Sequence, residues 1–424
     1  MRFPEECVKV TNPCRVMAVL GTRPEAIKLA LVIHELRQRP DEFQISVVHT
    51  GQHLTMLDHA LQLFKIKPDF YLDVMRPNQT LSLLTGRVID TVENACHRFG
   101  PHIVLVQGDT TTAFASALAA YYCKIPVGHI EAGLRSHDIY NPFPEEANRR
   151  LVSVVTEIHF APTALSRDAL RDEGVAAEKI VVTGNTVVDA LRGLSQLPRS
   201  WENTPLAGIP ADKERLILVT SHRRESWGND QENMCLALKD LVTQHPDIRI
   251  VYPVHMNPNV RSTINALLGD TERIHLTEPL DYITFVSLLR CCFMVLTDSG
   301  GIQEEAPTFR KPVLVLRKVT ERPEAAQFGM AKIIGMSREA IFTEAERLLS
   351  NPEAYQDMST GQNPYGDGRA AERIVEAVGR WHQKKTPLLE PDKEFKLPPK
   401  PQRRRRKTDF AENETEEALD PVLS

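Results

Sequence analysis

Short runs of apolar, β-branched residues alternate along the chain with longer stretches of helical period. The first series contains RVMAVL, ISVVHT, IVLVQG and PVGHIEA; the second starts near Arg215 and contains RLILVTS, IRIVYPVH, RIHLTEPL, FMVLTDSG, PVLVLR and AKIIG. This alternation predicts parallel sheets that are covered by helices on both faces. We therefore predict an α/β protein with two doubly wound parallel-sheet domains that face each other across a cleft.

Domain boundaries follow from breaks in this pattern. Residues 193–210 lose their periodicity and gain Pro, Gly and Ser, which is typical of a connection between domains. We predict a first domain over 1–190, a second domain over 191–370 and a C-terminal helix over 371–385. Within the remainder, 386–424, the sequence becomes Pro-rich, then basic at 403–407 and then acidic. That composition predicts a disordered, solvated tail.

Composition narrows the class of protein. Of the 424 residues, 42% are hydrophobic and 25% are charged, and the net charge is -5. These values are typical of a globular protein and indicate neither a nucleic-acid nor a membrane partner. No apolar run approaches the roughly 18 residues of a spanning helix and the N-terminus lacks a signal-peptide core, so we expect a cytoplasmic protein. The seven cysteines show no CxxC or paired His/Cys spacing, so we expect no disulfide framework, no metal site and no cofactor.

Ligands of open parallel sheets bind beyond the carboxyl ends of the strands, so polar residues at those positions are the candidates. GTRPEAIK follows the first strand, and its helix start, Arg23 and Lys28 fit an anion such as a diphosphate. The alternative is a helix cap with two surface cations. Gln52 and His53 follow the second strand and either reach a ligand or cap the next helix.

Three carboxylates follow the later strands of the first domain: Asp109, Glu131 and Glu145. Like charges in a dry cleft push pKa values apart, so such a group can remove a proton from one face of a carbon and deliver one to the other. Two structural alternatives remain. Asp109 could be only a helix N-cap, and the two glutamates could pair with Arg135 and Arg149.

The second domain offers cations and a glycine pair. His222 and Arg223 follow its first strand and are placed for a leaving phosphate. A later strand runs into a turn that comprises Ser299, Gly300 and Gly301. Backbone N–H groups of such a turn can approach phosphate closely, and Glu305, one helical turn on, can accept bonds from ribose hydroxyls. A Ser-His-Asp hydrolase is disfavoured because no GxSxG pattern surrounds Ser299.

Eleven motifs stand in order from about residue 15 to residue 381: GTRPEAIK, HTGQH, GDTTT, HIEAGLRS, PFPEEANRR, GNTVVDA, SHRRE, YPVHMNP, TDSGGIQEEAP, TERPE and NPYGDG. Together they closely resemble the non-hydrolysing UDP-N-acetylglucosamine 2-epimerases. That family is similar in architecture to the GT-B glycosyltransferases. The resemblance implies two Rossmann-like domains, UDP held mainly by the second, a C-terminal helix that crosses back onto the first, and a homodimer.

The resemblance also implies the reaction. UDP-N-acetylglucosamine and UDP-N-acetylmannosamine are interconverted by anti elimination of UDP through 2-acetamidoglucal and re-addition, for synthesis of cell-surface polysaccharide precursors, without a metal or nicotinamide. Asp109, Glu131 and Glu145 match the acid/base group, while Arg23, Lys28 and His222 match the group that stabilises the departing diphosphate. The remaining substrate-binding positions implied are Arg135 and Asn185 at the sugar, and Arg223, Ser299, Gly300, Gly301 and Glu305 at the nucleotide.

The chain departs from substrate-activated bacterial members in two loops. Those members carry a second Gln after GQH and a basic residue with Arg before QT, whereas this chain reads LTM at 54–56 and RPNQT at 76–80. Gln52 and His53 are the candidate allosteric residues that remain. Three other functions stay open at this stage: a hydrolysing relative that releases N-acetylmannosamine and UDP, a GT-B glycosyltransferase, and a non-catalytic nucleotide-sugar sensor.

Overall fold

The computed structural model describes residues 12–51, 54–76, 78–198, 201–221 and 228–397. The first sheet contains β1 (Cys14–Leu20), β2 (Phe43–His49), β3 (Phe70–Tyr71), β4 (Ile103–Gln107), β5 (Val127–Ile130), β6 (Ile158–Ala161) and β7 (Ile180–Val182). Its helices are α1 (Arg23–Arg37), α2 (Leu54–Leu63), α3 (Leu81–Phe99), α4 (Thr111–Tyr122), α5 (Glu145–Val155), α6 (Ala164–Asp172) and α7 (Thr186–Leu194).

The second sheet contains β8 (Arg215–Thr220), β9 (Ile248–Pro253), β10 (Ile274–Thr277), β11 (Met294–Thr297), β12 (Val313–Val315) and β13 (Ala331–Ile333). The helices that come after β8 in the chain are α8 (Asn229–Gln244), α9 (Pro258–Leu268), α10 (Tyr282–Cys291), α11 (Gly300–Glu305), α12 (Pro323–Gln327), α13 (Arg338–Ser350), α14 (Pro352–Ser359) and α15 (Ala370–His382).

Both sheets are parallel and doubly wound, which confirms the predicted GT-B-like α/β fold. The strand orders are β3-β2-β1-β4-β5-β6-β7 and β10-β9-β8-β11-β12-β13. Each order reverses between two central strands, β1 and β4 in the first sheet and β8 and β11 in the second. Crevices at such reversals are where doubly wound sheets bind ligands, so the turns that follow these four strands set the position of a site.

Local sequence signals explain where several elements begin and end. Thr110 begins α4 by accepting a hydrogen bond from the N–H of Ala113, and Thr163 begins α6 in the same way through Ser166. Helix α3 ends at Gly100, whose φ of 64° suits a residue without a Cβ. The caps fix the chain direction just after β4 and β6, where candidate residues lie.

The chain returns to the first sheet at its C-terminal end. Helix α15 packs against α1 and α7, and the N–H of Ala371 donates to the Asp189 carboxylate of α7 at 2.8 Å. This helix spans 370–382, slightly less than the predicted 371–385. The domain boundaries at 190 and 370 remain predictions.

The expectation of disorder from residue 386 onward is wrong for 386–397. Leu389 and Phe395 are buried, and the N–H of Phe395 donates to the carbonyl of Val182 at 2.9 Å. Two apolar side chains thus anchor a segment whose average composition is polar and Pro-rich. The basic run at 403–407 lies outside the described residues. Among the described helices, none is both long enough and apolar enough to cross a membrane.

A substitution at Gly133 tests how closely α6 must approach the turn after β5. Its φ is +92°, and a Cβ there would lie 2.2 Å from the backbone oxygen of Ser166. We expect Gly133→Ala to lower stability by about 1–3 kcal/mol through backbone strain and by about 1–3 kcal/mol more through overpacking. Urea unfolding of the purified variant measures the loss.

Gly174→Ala is the matched control, because Gly174 has a φ of +89° and open space where a Cβ would lie. The Gly174→Ala variant introduces the backbone strain but no steric clash. Equal losses for the two variants would contradict a requirement for close approach at Gly133.

Candidate active site

The turns after β1 and β4 are tied together at the point where the first sheet reverses. Glu25 of α1 is buried, and its carboxylate accepts the N–H groups of Gly21 and Thr22 at 3.0 and 2.7 Å. Its other oxygen accepts the Thr110 hydroxyl at 2.7 Å. A Cβ at Gly21 would lie 2.4 Å from the Thr112 hydroxyl. The glycine of GTRPEAIK therefore allows close packing of the two turns.

Lys28 lies one turn further along α1 and is almost completely buried. Its ammonium donates to Glu131, which follows β5, and lies 3.4 Å from Glu304 on α11. Burial alone would lower the pKa of Lys28, but the Glu131 and Glu304 carboxylates raise it. The alternative that Lys28 is a surface cation is therefore wrong.

Arg322 pairs with the same carboxylates from the loop before α12. Its guanidinium lies 2.7 Å from Glu304, 2.5 Å from Glu321 and 3.7 Å from Glu131. Gly300 permits this approach, since a Cβ there would lie 2.4 Å from Arg322 Nη1. We call Lys28, Glu131, Glu304, Glu321 and Arg322 the central ionic cluster.

The central ionic cluster joins the two halves of the molecule. Lys28 and Glu131 belong to the half that contains the first sheet, whereas Glu304, Glu321 and Arg322 belong to the half that contains the second sheet. A further contact joins the halves nearby, where the Thr163 hydroxyl donates to Glu324 of α12 at 2.7 Å. Charges removed from water are costly unless they are paired, so the contacts favour the closed arrangement of the halves.

Asp109 follows β4 and lies beside a cation from α5. The guanidinium of Arg149 approaches its carboxylate at 2.9 and 2.7 Å, and Asn148 donates to its backbone oxygen at 2.9 Å. Burial alone would raise the pKa of Asp109, but Arg149 brings it below its usual value. Thr110, not Asp109, caps α4, so the alternative that Asp109 is an N-cap is wrong.

The pKa of Glu131 is shifted in the opposite direction. Burial raises the pKa of its carboxyl, and the nearby charge of Glu304 acts in the same direction against Lys28. The carboxylate also accepts a hydrogen bond from Gln107 at 2.7 Å. Its backbone φ is 66°, a left-handed conformation that is uncommon for a residue with a side chain and that occurs at functional sites. Two carboxyl groups near the end of β4 and β5 thus have pKa values shifted apart.

Glu145 is the first residue of α5, one turn before Arg149. The same helix therefore carries the third candidate carboxylate and the cation that pairs with Asp109. Its neighbour Glu146 is fully buried and pairs with Arg149 at 2.9 Å. The motif PFPEEANRR thus supplies Glu146 and Arg149 to one ion-paired group and carries Glu145 on the same helix.

The second half presents Glu305 and the turn before α11. Burial raises the pKa of Glu305 to about 7, although Lys28 and Arg23 act to lower it. The Tyr282 hydroxyl donates to this carboxylate at 3.3 Å. Ser299 precedes α11, and at Gly301 an added Cβ would meet no atom within 4 Å. Arg23 and Glu305, from different halves, are therefore close in space, next to an open backbone surface.

Two predicted residues have other contacts. Arg135 is buried and binds Glu173 at 2.7 and 2.8 Å and Ser153 at 3.1 Å, so its guanidinium joins α5 to α6 and is not part of the central ionic cluster. Asn185 caps α7 through the N–H of Val187 at 3.0 Å. Its amide Nδ2 is buried without a hydrogen-bond partner among the described residues. His222, Arg223, Gln52 and His53 lie outside the described residues.

Sequence reasoning missed Arg322, Glu304 and Gln107 as members of this region, and it named Arg149 only as a possible partner of the glutamates. All four lie within quoted motifs or at strand ends, but their pairing depends on elements distant in the chain. The alternative in which Arg135 and Arg149 pair with Glu131 and Glu145 differs from the structure. Arg135 binds Glu173. Arg149 binds Asp109 and Glu146. For Arg322, the motif TERPE was the only local signal.

Comparisons with known proteins agree on one family. A family model described as UDP-N-acetylglucosamine 2-epimerase matches residues 34–379. A protein of Escherichia coli strain K12 named UDP-N-acetylglucosamine 2-epimerase is 49% identical over 370 residues, covering 86% of this chain and 98% of that protein.

Solved structures agree with these matches. A putative UDP-N-acetylglucosamine 2-epimerase from Listeria monocytogenes is 45% identical with a TM-score of 0.84, covering 88% of this chain and 98% of the other. The Neisseria meningitidis UDP-GlcNAc 2-epimerase bound to UDP-GlcNAc is 46% identical with a TM-score of 0.81, covering 86% and 99%.

Arg322→Met tests the central ionic cluster. The change leaves Glu304, Glu321 and Glu131 buried with less compensating charge, which typically costs about 3–5 kcal/mol. These carboxyl groups would then have raised pKa values in the folded state, so the stability loss should be largest at neutral pH and smaller as the pH falls and they protonate. Thermal unfolding at pH 7 and pH 5 measures both effects.

The control is Arg369→Met, which removes an exposed arginine that pairs with Glu372 at 2.9 Å. This surface pair is open to solvent and should contribute little. A stability loss in Arg322→Met that matches the control, or that grows as the pH falls, would contradict the role given to the cluster.

Proposed function

This chain belongs to the UDP-N-acetylglucosamine 2-epimerase family, and we propose that it is a non-hydrolysing member that interconverts UDP-N-acetylglucosamine and UDP-N-acetylmannosamine. A base removes the proton at C-2 while UDP leaves C-1 on the opposite face. The 2-acetamidoglucal that forms takes UDP back with protonation on the other face of C-2. These steps are proton transfers and eliminations, so they consume no redox cofactor.

The observation that carries the proposal is that the pKa values of two carboxyl groups are shifted in opposite directions. Asp109 has a lowered pKa beside Arg149, whereas Glu131 has a raised pKa in its buried site. An epimerisation needs one group that removes a proton and one that delivers a proton, and carboxyl groups in different environments can take these two roles. Glu145, at the start of α5, is the third member of the proposed acid/base group.

Proton removal alone is insufficient, because a C-2 proton beside an acetal carbon is hardly acidic. The reaction therefore needs stabilisation of the departing diphosphate. Lys28, Arg23 and Arg322 supply positive charge from described residues, and we assign His222 and Arg223 to the same task. A diphosphate that entered this region would compete with Glu131 and Glu304 for the two buried cations.

The nucleotide is assigned to the second half. Ser299, Gly300 and Gly301 offer backbone N–H groups, and Glu305 offers a carboxylate to the ribose hydroxyls. Since the pKa of Glu305 is about 7 without ligand, hydroxyl donors would favour its charged form and lower that pKa. We keep Asn185, with its unpartnered Nδ2, as a contact for the sugar; Arg135 has weaker support because its guanidinium binds Glu173.

Retention of the intermediate depends on excluding water. Lys28 and Glu131 are each only 8% exposed in the closed arrangement. A closed site keeps UDP beside the glucal and limits attack by water. This burial favours the non-hydrolysing reaction over release of free N-acetylmannosamine.

We assign the reaction to the cytoplasm and to the supply of cell-surface polysaccharide precursors. The six cysteines of the described residues are free thiols, as is typical of proteins in a reducing compartment. Sugars linked to UDP are the activated donors that polysaccharide synthesis consumes. Nucleic acid and membrane are not proposed as partners.

A homodimer is also proposed. Large apolar side chains are exposed on adjacent helices of the first half, namely Tyr121 and Tyr122 of α4 and Leu151 and Val154 of α5. Exposed apolar patches of this kind mark interfaces between proteins. We therefore propose that α4 and α5 form the contact between two copies.

The reaction is tested by proton NMR of the purified enzyme with UDP-N-acetylglucosamine in deuterated water. We expect UDP-N-acetylmannosamine with deuterium at C-2, because the proton is exchanged in the intermediate. Free N-acetylmannosamine and UDP would instead identify a hydrolysing enzyme, and unlabelled substrate would leave a transferase or a sensor. Asp109→Asn should lower the rate by about 100- to 10,000-fold while UDP binding persists.

The control for Asp109→Asn is Asp168→Asn, which removes a carboxylate paired with Arg167 on the surface of α6. The control should keep wild-type activity. Unchanged activity in Asp109→Asn, or loss of UDP binding along with activity, would contradict a role for Asp109 in proton transfer.

The dimer is tested by light scattering after size-exclusion chromatography. Val154 is 83% exposed, so Val154→Asp should leave the fold intact but introduce a buried charge at the interface and halve the mass. Val319→Asp, at another exposed valine in the second half, should retain the dimer mass. A monomeric wild type, or a dimeric Val154→Asp, would show that α4 and α5 are not the interface.

A further inference from the structure

The C-terminal ends of α3 and α4 bring a carboxylate, an imidazole and a thiol together. Glu93 and His97 of α3 lie on one side of the helix, since residues four apart are neighbours. Cys123 is the residue at which α4 ends. Glu93 Oε1 lies 3.6 Å from His97 Nε2, and ligand atoms of Glu93, His97 and Cys123 all lie within 4.8 Å of one another.

Cys96 lies beneath the group on the buried side, where its thiol is 3.9 Å from the sulfur of Met17. Cys96 is buried, Cys123 and Glu93 are half-buried, and His97 is exposed. The group therefore has a path to solvent at His97 and a protected thiol at its base.

All three ligands of this group are at least partly exposed, so an ion can reach them from solvent.

A second group of potential ligands, Cys14, His102 and His382, lacks this property. The N–H of Arg15 donates to His102 Nδ1 at 3.1 Å, which leaves the proton of neutral His102 on Nε2. After burial, the charge of Arg15 is the next cause that lowers the pKa of His102. At this second group, His102 Nδ1 already accepts a hydrogen bond, and the positive charge of Arg15 would repel a cation.

We propose that Glu93, His97 and Cys123 bind a divalent cation of the zinc type, which links the C-terminal ends of α3 and α4. Carboxylate, imidazole and thiolate are ligands that zinc accepts, and water takes the fourth position of a three-ligand site. Metal–ligand distances of about 2.0–2.3 Å place tetrahedral ligand atoms roughly 3.3–3.8 Å apart, so the side chains contract on binding. The Cys123 thiol releases its proton to solvent as the metal–sulfur bond forms, and no oxidation state changes.

The proposed ion is distant from the acid/base group. Helix α4 has 12 residues between the turn that carries Asp109 and Cys123, which corresponds to about 18 Å at 1.5 Å per residue. The cation therefore acts on stability and not on the chemistry at C-2. By binding the folded chain, it raises the unfolding temperature.

Cobalt(II) is the probe, because its tetrahedral thiolate complexes absorb visible and near-ultraviolet light. The full-length protein is treated with a chelator, kept reduced with a phosphine and titrated with Co²⁺. We expect cobalt–thiolate bands that saturate, that Zn²⁺ abolishes, and that accompany a higher unfolding temperature. Absence of these bands in the reduced wild-type protein would overturn the proposal.

Three variants locate the site. Cys123→Ser should remove the cobalt–thiolate band, and the exposed His97→Gln, which does not disturb the core, should weaken Co²⁺ binding at least about tenfold. Cys14→Ser, in the second group, should leave the titration unchanged. Retention of wild-type binding in both Cys123→Ser and His97→Gln, or its loss in Cys14→Ser, would overturn the assignment.

Discussion

A buried ionic cluster between the two halves governs the rest of this structure. Lys28 and Arg322 carry positive charge out of water, and Glu131, Glu304 and Glu321 surround them. Either half alone would leave charges of this cluster without their partners. The cost of burying an unpaired charge thus couples the closed arrangement to the presence of both halves. A diphosphate brings negative charge of its own, so it can replace the carboxylates as the partner of these cations.

The same fold gives neighbouring carboxyl groups different chemistry. Asp109 and Glu131 follow adjacent strands, β4 and β5, yet Arg149 from α5 stabilises the charge of the first while burial disfavours the charge of the second. Glu131 has a left-handed backbone, and two residues later Gly133 lies close to Ser166. Proton affinity at this site is therefore set by backbone position as much as by residue type.

Packing also gives roles to segments that have no distinctive local pattern. Phe395 fixes part of a Pro-rich segment against β7, and α15 meets α7 through Asp189. Glu93 and His97 meet Cys123 because α3 and α4 lie side by side. In each case the relevant neighbours come from separate elements, so the contact exists only after those elements have docked.

The sequence by itself determined the fold class and the family resemblance. Strand and helix periodicities report local burial, and the turns after parallel strands mark ligand positions, so Lys28, Asp109 and Glu131 could be selected without a structure. It could not determine that Arg322 is the partner of Glu304, that Arg135 binds Glu173, or that His97 meets Cys123. Lys28 and Glu304 are 276 residues apart, and no local periodicity encodes their separation in space. Only the docking of the two halves decided which charges would be paired, because pairing depends on distance and on exclusion of water.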